Sequence, residues 1–149
     1  MAYLEKIEGN RVDLRISYLE NLILEKKSSD RDVHNSLVTF YLQAYSESKA
    51  TGDSRKRLVI KEKLLKFLNT SNLYNSERLL SKFSSDEYED LYEEMALLLS
   101  KIGMHDQALS IYVHKMERPD LADKLVFMKI TIIIVVVVVV VVIIICSNP

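Results

Sequence analysis

The chain has 149 residues and carries 20 basic against 21 acidic side chains, a net charge of -1. That balance lacks the basic excess with which nucleic-acid-binding surfaces hold phosphate. One cysteine, Cys146, excludes an internal disulfide and a cysteine-based zinc site, while glycines only at 9, 52 and 103 cannot supply a P-loop, a dinucleotide fingerprint or a nucleophile elbow.

The opening MAYLEKIEGN has no apolar run of the length a secretory signal needs, which points to a cytosolic body. From Arg11 to Lys27, Val12, Ile16, Leu19 and Ile23 form one stripe, with Gly9-Asn10 ahead and Ser28-Ser29 behind. This predicts a first helix. Asp32 is the predicted N-cap of a second, carried by Val33, Leu37, Phe40, Tyr41 and Ala44. Ser46 to Ser54, with Thr51-Gly52-Asp53 inside it, reads as a loop. A third helix is expected over Arg55 to Asn69, with Ile60, Leu64, Phe67 and Leu68 inward, and a short fourth starts after Asn75 or Ser76 with Leu79, Leu80 and Phe83. Ser84-Ser85-Asp86 breaks the pattern, and Asp86 with Glu89 resembles a capping box for the next helix.

The stretch from Tyr88 to Lys124 organises the remainder. Leu91, Met95, Leu98 and Ile102 define one amphipathic helix; His105, Ala108, Leu109, Tyr112 and Met116 define a second. Gly103 and Met104 alone separate them, so the two form an antiparallel hairpin closed by a glycine at positive φ. Ala96 and Ala108 lie on its two arms, where the absence of a side chain beyond Cβ lets the backbones approach. Pro119 reads as the first residue of a further helix. A hairpin apolar on both broad sides must be covered on both, which is the pattern of a stacked helical repeat. No segment alternates convincingly, and the expected class is all-α.

Residues 131–146, TIIIVVVVVVVVIIIC, need a separate account. Their length falls just under that of a membrane-spanning helix, though Leu125 to Met128 extend it past Lys129. A bilayer anchor is one reading. The other is a low-complexity extension, since valine and isoleucine codons can differ by one base, and the composition favours it. Residues 1–124 are therefore expected to form the repeat domain and 125–149 a non-globular apolar tail.

No residue is assigned a catalytic, cofactor-binding or metal-binding role. His105 and His114 sit nine positions apart on one helix, on opposite faces, and cannot share a metal; His34 and His114 read as interhelical packing or hydrogen-bonding residues. Two charge clusters stand out. Lys49 to Lys66 holds seven basic and two acidic residues, and Glu77 to Glu94 seven acidic and two basic. They read either as surfaces for a partner protein or anionic lipid, or as a solvated face with acids at a helix start, and the second is preferred.

The run ALLLSKIGMHDQALSIYVHKM resembles the clathrin-heavy-chain-type repeat of the vacuolar sorting protein 39 and TGF-β-receptor-associated protein family, subunits of the HOPS and CORVET tethering complexes. ISYLENLI (Ile16 to Ile23), VHNSLVTFYL (Val33 to Leu42) and KLLKFLNTSNLYNSERLL (Lys63 to Leu80) precede it in the order that family shows. The resemblance covers residues 11–124. It departs after Ala122, where the family continues into a Tyr-Cys pair and this chain turns to Leu125-Val126-Phe127. What the resemblance implies is a fragment of an α-solenoid without cofactor, acting without covalent chemistry as a scaffold in endosome-to-vacuole or lysosome traffic. Its implied partners are a Rab GTPase and the other tethering subunits, its implied place the cytoplasm, peripheral on late endosomes or vacuoles. The alternative reading is a tetratricopeptide-like scaffold that takes peptides in a concave groove.

Overall fold

The computed structural model describes residues 2–117 and 119–148, with residues 2–10 and 119 described by their backbone alone. Among the described residues all regular structure is helical: α1 Ala2–Leu24, α2 Arg31–Ala50, α3 Ser54–Thr70, α4 Ser76–Phe83, α5 Tyr92–Lys101, α6 His105–His114 and α7 Pro119–Ser147, with a 3₁₀ turn at Asp86–Tyr88 between α4 and α5. Each helix packs chiefly on its neighbours in the chain, α1 on α2, α2 on α3, α5 on α6 and α6 on α7, while α3 and α4 both rest on α5. The result is a short α-solenoid.

Two cores run through it. Val12 and Ile16 of α1, Leu37, Val38, Tyr41 and Tyr45 of α2, Leu64 and Leu68 of α3, Phe83 of α4 and Leu98 of α5 belong to the first. Ala96 and Leu99 of α5, Ala108 and Tyr112 of α6, and Ala122 and Leu125 of α7 form the second. Helix α5 is the wall between them, and Leu80 and Met95 touch both. Of the residues expected inside, Leu37, Leu64, Phe67 and Leu98 are buried. Leu19, Ile23, Phe40 and Leu109 are partly buried against the cores.

The hairpin closes as its residues require. Gly103 takes φ +84°, its N–H reaching the Ser100 carbonyl at 3.2 Å and the Met104 N–H the Leu99 carbonyl at 2.9 Å. That pair of bonds is a Schellman ending, which needs a left-handed residue after the cap. Gly52 ends α2 the same way at φ +71°, with Asp53 N–H on the Ser48 carbonyl at 3.0 Å.

Several boundaries differ from the sequence expectation. Gly9 and Asn10 lie within α1, because one interior glycine costs only about 1 kcal/mol against alanine and does not by itself stop a helix. The cap of α2 is Asp30, whose carboxylate accepts the Asp32 N–H at 2.9 Å; Asp32 itself sits in the first turn. Helix α2 also continues through the expected loop to Ala50, leaving Thr51 to Asp53 as the connection. Glu47, Lys49 and Ala50 are good helix formers and Tyr45 and Ser48 are buried, so propensity and packing together carry the helix to Ala50. The capping box at Asp86 and Glu89 does not form. Residues 86–88 make the 3₁₀ turn, and α5 starts at Tyr92 behind Leu91, without a side-chain cap. Beyond the body, α7 runs without interruption from Pro119 to Ser147, so the expected division between 124 and 125 falls inside one helix.

Candidate protein-interaction surface

The two charge clusters of the sequence meet in space. Segment 85–90 lies across the end of α2 and the side of α3. There Lys49 Nζ donates to the Glu87 carbonyl at 3.0 Å and to Asp90 Oδ1 at 3.3 Å. The Tyr45 hydroxyl donates to the other Asp90 oxygen, Ser46 Oγ to Glu87 Oε1, and Lys61 Nζ to the Asp90 carbonyl at 3.1 Å. These bonds hold the chain sideways, which is why Asp86 cannot act as a cap. Burial alone would raise the Asp90 pKa, but the hydrogen bonds from Tyr45 and Lys49 outweigh it and hold the carboxyl below its ordinary range. Burial first, and Asp90 second, raise the Tyr45 phenol above its ordinary value.

Two further lysines of the basic cluster turn to α1. Lys56 pairs with Asp13 at 2.9 Å and Lys63 with Glu20 at 3.0 Å, and Glu20 also accepts from the Tyr41 hydroxyl at 2.6 Å. Such half-exposed pairs contribute little stability. Most of the basic cluster is therefore an internal seam rather than a free face. Arg55 and Lys66 remain exposed, as do Glu77, Asp86 and Glu89 on the acidic side.

Lys101, to which the sequence assigns no role, joins the α5/α6 hairpin to the end of α3. From the last turn of α5 its ammonium donates to the Leu68 carbonyl, to the Ser71 carbonyl at 2.8 Å and to Asn72 Oδ1 at 2.9 Å, and lies 5.0 Å from the Tyr74 ring centre. It thus satisfies carbonyls at the end of α3 that the helix leaves open. No sequence signal distinguishes it from other lysines, because its partners at Leu68, Ser71, Asn72 and Tyr74 lie far from it along the chain.

His34 has the interhelical role expected of it. Its Nε2 lies 2.9 Å from the Ser28 carbonyl and its Nδ1 2.7 Å from Ser71 Oγ. A carbonyl only accepts, so Nε2 carries the proton. His114 does not match its expectation: it is the last residue of α6 and is exposed. Glu94, on the third residue of α5, is buried with no hydrogen-bond partner for either carboxyl oxygen among the described residues. Burial pushes its pKa up to about 7, its own backbone N–H first and the Lys61 charge second only partly opposing.

Open grooves among the described residues include the following two. One of about 400 Å³ runs between α1 and α3, lined by apolar Ile16, Val59 and Ile60 and by charged Asp13, Asp53, Arg55, Lys56 and Lys63. The other, about 340 Å³, lies between α2 and α4 and is lined by Asn35, Thr39, Phe40, Asn75 and Arg78 among others. Both suit an extended or helical polypeptide better than an enclosed small molecule, since neither is a deep apolar cavity. Leu14, Tyr18 and Leu24 of α1 and Leu58 of α3 are also exposed at this end of the array.

Residues 5–127 match the Clathrin family model, described as a region in clathrin and VPS. The chain belongs to this repeat family. Within it, the chain is 37% identical over 105 residues to a Drosophila melanogaster vacuolar protein sorting-associated protein 39 homolog, covering 68% of this chain and 12% of that protein. It is 34% identical over 124 residues to the Mus musculus Vam6/Vps39-like protein, covering 73% and 14%. To the Danio rerio homolog of transforming growth factor-beta receptor-associated protein 1 it is 32% identical over 109 residues, covering 72% and 12%. These matches place the chain in the family of vacuolar sorting protein 39 and the TGF-β-receptor-associated protein. The chain spans only 12 to 14% of the length of these relatives. No solved structure matches it.

Proposed function

We propose that the body of this chain is a scaffold segment of a membrane-tethering subunit of the HOPS or CORVET type, serving endosome-to-vacuole or lysosome traffic by binding and spacing other proteins. The observation that carries this reading is that the family match spans residues 5–127, the whole stacked body up to its last buried residue, Leu125. The geometry fits such a task. Helices stack largely on their chain neighbours, and apolar side chains remain exposed on α1, where another helical repeat or subunit would continue the array. The partners would be other tethering subunits and a Rab GTPase, met on the cytoplasmic face of late endosomal or vacuolar membranes, with no covalent step. A second reading, capture of a peptide with an acidic side chain, draws on the α1/α3 groove, where Ile16, Val59 and Ile60 offer apolar surface and, with Lys56 and Lys63 already paired, Arg55 is the cation that would meet it.

The two are separable by experiment. Leu14→Glu with Tyr18→Glu should abolish co-purification of the full chain with tethering subunits while leaving its helical content unchanged. Arg55→Glu should leave that co-purification within twofold and weaken only an acidic peptide ligand. Undiminished tethering-subunit recovery with the α1 double variant would refute the scaffold surface assigned here.

A further inference from the structure

Helix α7 begins as part of the repeat and leaves it without a break. Leu121, Ala122 and Leu125 pack into the second core. Beyond Leu125 nothing covers the helix: every described residue from 126 to 148 is exposed, and from Ile132 to Ile145 the exposure stays between 47% and 67% on all sides. The helical stretch Asp120–Ser147 has a mean hydropathy of 3.7 in its most apolar part. Monomeric soluble proteins rarely expose apolar patches beyond a few hundred Å². A helix apolar around its whole circumference belongs in a protein core or in lipid.

Three features select lipid over a protein partner. The first is the missing polar face, because a groove or partner helix covers a stripe and leaves the far side wet. The second is length. From Ile130 to Ser147 no residue is charged, a distance of about 27 Å at the helical rise, against a hydrocarbon layer of about 30 Å. Backbone groups are satisfied within the helix, and Thr131 Oγ1 donates to the Phe127 carbonyl at 2.8 Å. The third is the placement of charge. Lys124 and Lys129 lie at the body end, Lys129 paired with Asp106 at 3.1 Å, and the apolar stretch that follows them carries no charge.

We infer that residues 130–147 of α7 cross a lipid bilayer, with the repeat body and the two lysines on the cytosolic side, the side that favours positive charge. The span is one helix with the body, so Leu125 in the second core lies about 8 Å along the axis from the first uncharged residue of the span. The body is thereby held at the membrane surface with no flexible linker. An origin of the tract in a simple codon repeat has no bearing on how the polypeptide partitions. The inference stands whether or not the tethering reading does, since it uses only the helix and its flanks.

The test is cell-free synthesis of the full chain, with an epitope tag after Pro149, in the presence of phosphatidylcholine vesicles containing a minority of phosphatidylserine. The chain should float with the vesicles and resist alkaline carbonate. External protease should remove the body and spare the tag. Val137→Lys with Val141→Lys should lower the carbonate-resistant fraction at least tenfold, while circular dichroism of that variant retains the signal of the body. Replacing Val135 to Val142 by leucine keeps the hydropathy and lowers β propensity, so insertion should persist. Carbonate extraction of the wild-type chain, a tag digested from outside, or loss of insertion in the leucine variant would each overturn the inference. So would sedimentation as cross-β fibres to the same extent with and without vesicles.

Discussion

Glu94→Gln isolates the one buried carboxyl that the fold leaves without a hydrogen-bond partner among the described residues. Glu94 is fully buried where α5 meets α3, near Lys61, Asp90 and Glu93, and Lys61 directs its ammonium to the Asp90 carbonyl instead. Burial raises the carboxyl from 4.5 to about 7. In acid below 4.5 both the folded and unfolded chains carry the proton, and Glu94 has no effect on the pH dependence. Between 4.5 and about 7 the unfolded chain gives up the proton while the folded chain keeps it, so the folded state binds more protons and stability falls as pH rises. Above about 7 both are ionised and the loss is complete. The shift corresponds to about 3 kcal/mol. Most of it, about 2 to 3 kcal/mol, should be lost between about pH 5 and about pH 8. A neutral glutamine of similar shape removes that slope. Urea titrations of the full chain in a mild non-ionic detergent, followed by tyrosine fluorescence, would measure both proteins at the two pH values. The variant should gain on the wild type by about 2 to 3 kcal/mol at the higher pH relative to the lower. Parallel pH profiles for the two proteins would refute the reasoning and show that Glu94 is solvated or paired in solution.

The other predictions concern the joints of the array. Gly103→Val meets no atom within 4 Å of the added Cβ, so its cost should be the left-handed backbone alone, about 1 to 2 kcal/mol in the same urea assay; an unchanged midpoint would mean the turn can re-form at negative φ. Lys101→Met keeps the side-chain stem and removes three hydrogen bonds, which should cost about 1 to 3 kcal/mol and raise hydrogen exchange in α5 and at the end of α3. Exchange unchanged in α3 would show that the lysine is solvated. Leu98→Ala opens a void where α5 faces the first core and should cost about 2 to 5 kcal/mol by thermal or urea unfolding; a loss below about 1 kcal/mol would place Leu98 outside the core.

By itself the sequence determined the helical class, the hairpin at Gly103, the start of the last helix at Pro119 and most of the inward stripes. Each of these is a short-range property, either a 3.6-residue apolar period or a backbone demand that glycine or proline meets locally. Local signals misplaced the start of α5 and the end of α2, because distant groups set the first and contribute to the second: the bonds from Ser46, Tyr45, Lys49 and Lys61 to segment 85–90, and the burial of Tyr45 and Ser48. The same holds for the candidate surface. Charge counting found the basic and acidic clusters, but only the folded chain shows that Lys49 and Lys61 bond to segment 87–90, that Lys56 and Lys63 are paired to α1, and that Arg55 lines a groove. The apolar tract was plain in the sequence as composition. Its continuity with the body as one helix, uncovered on every side, is a fact of three dimensions, since burial depends on which segments the stacking leaves within reach.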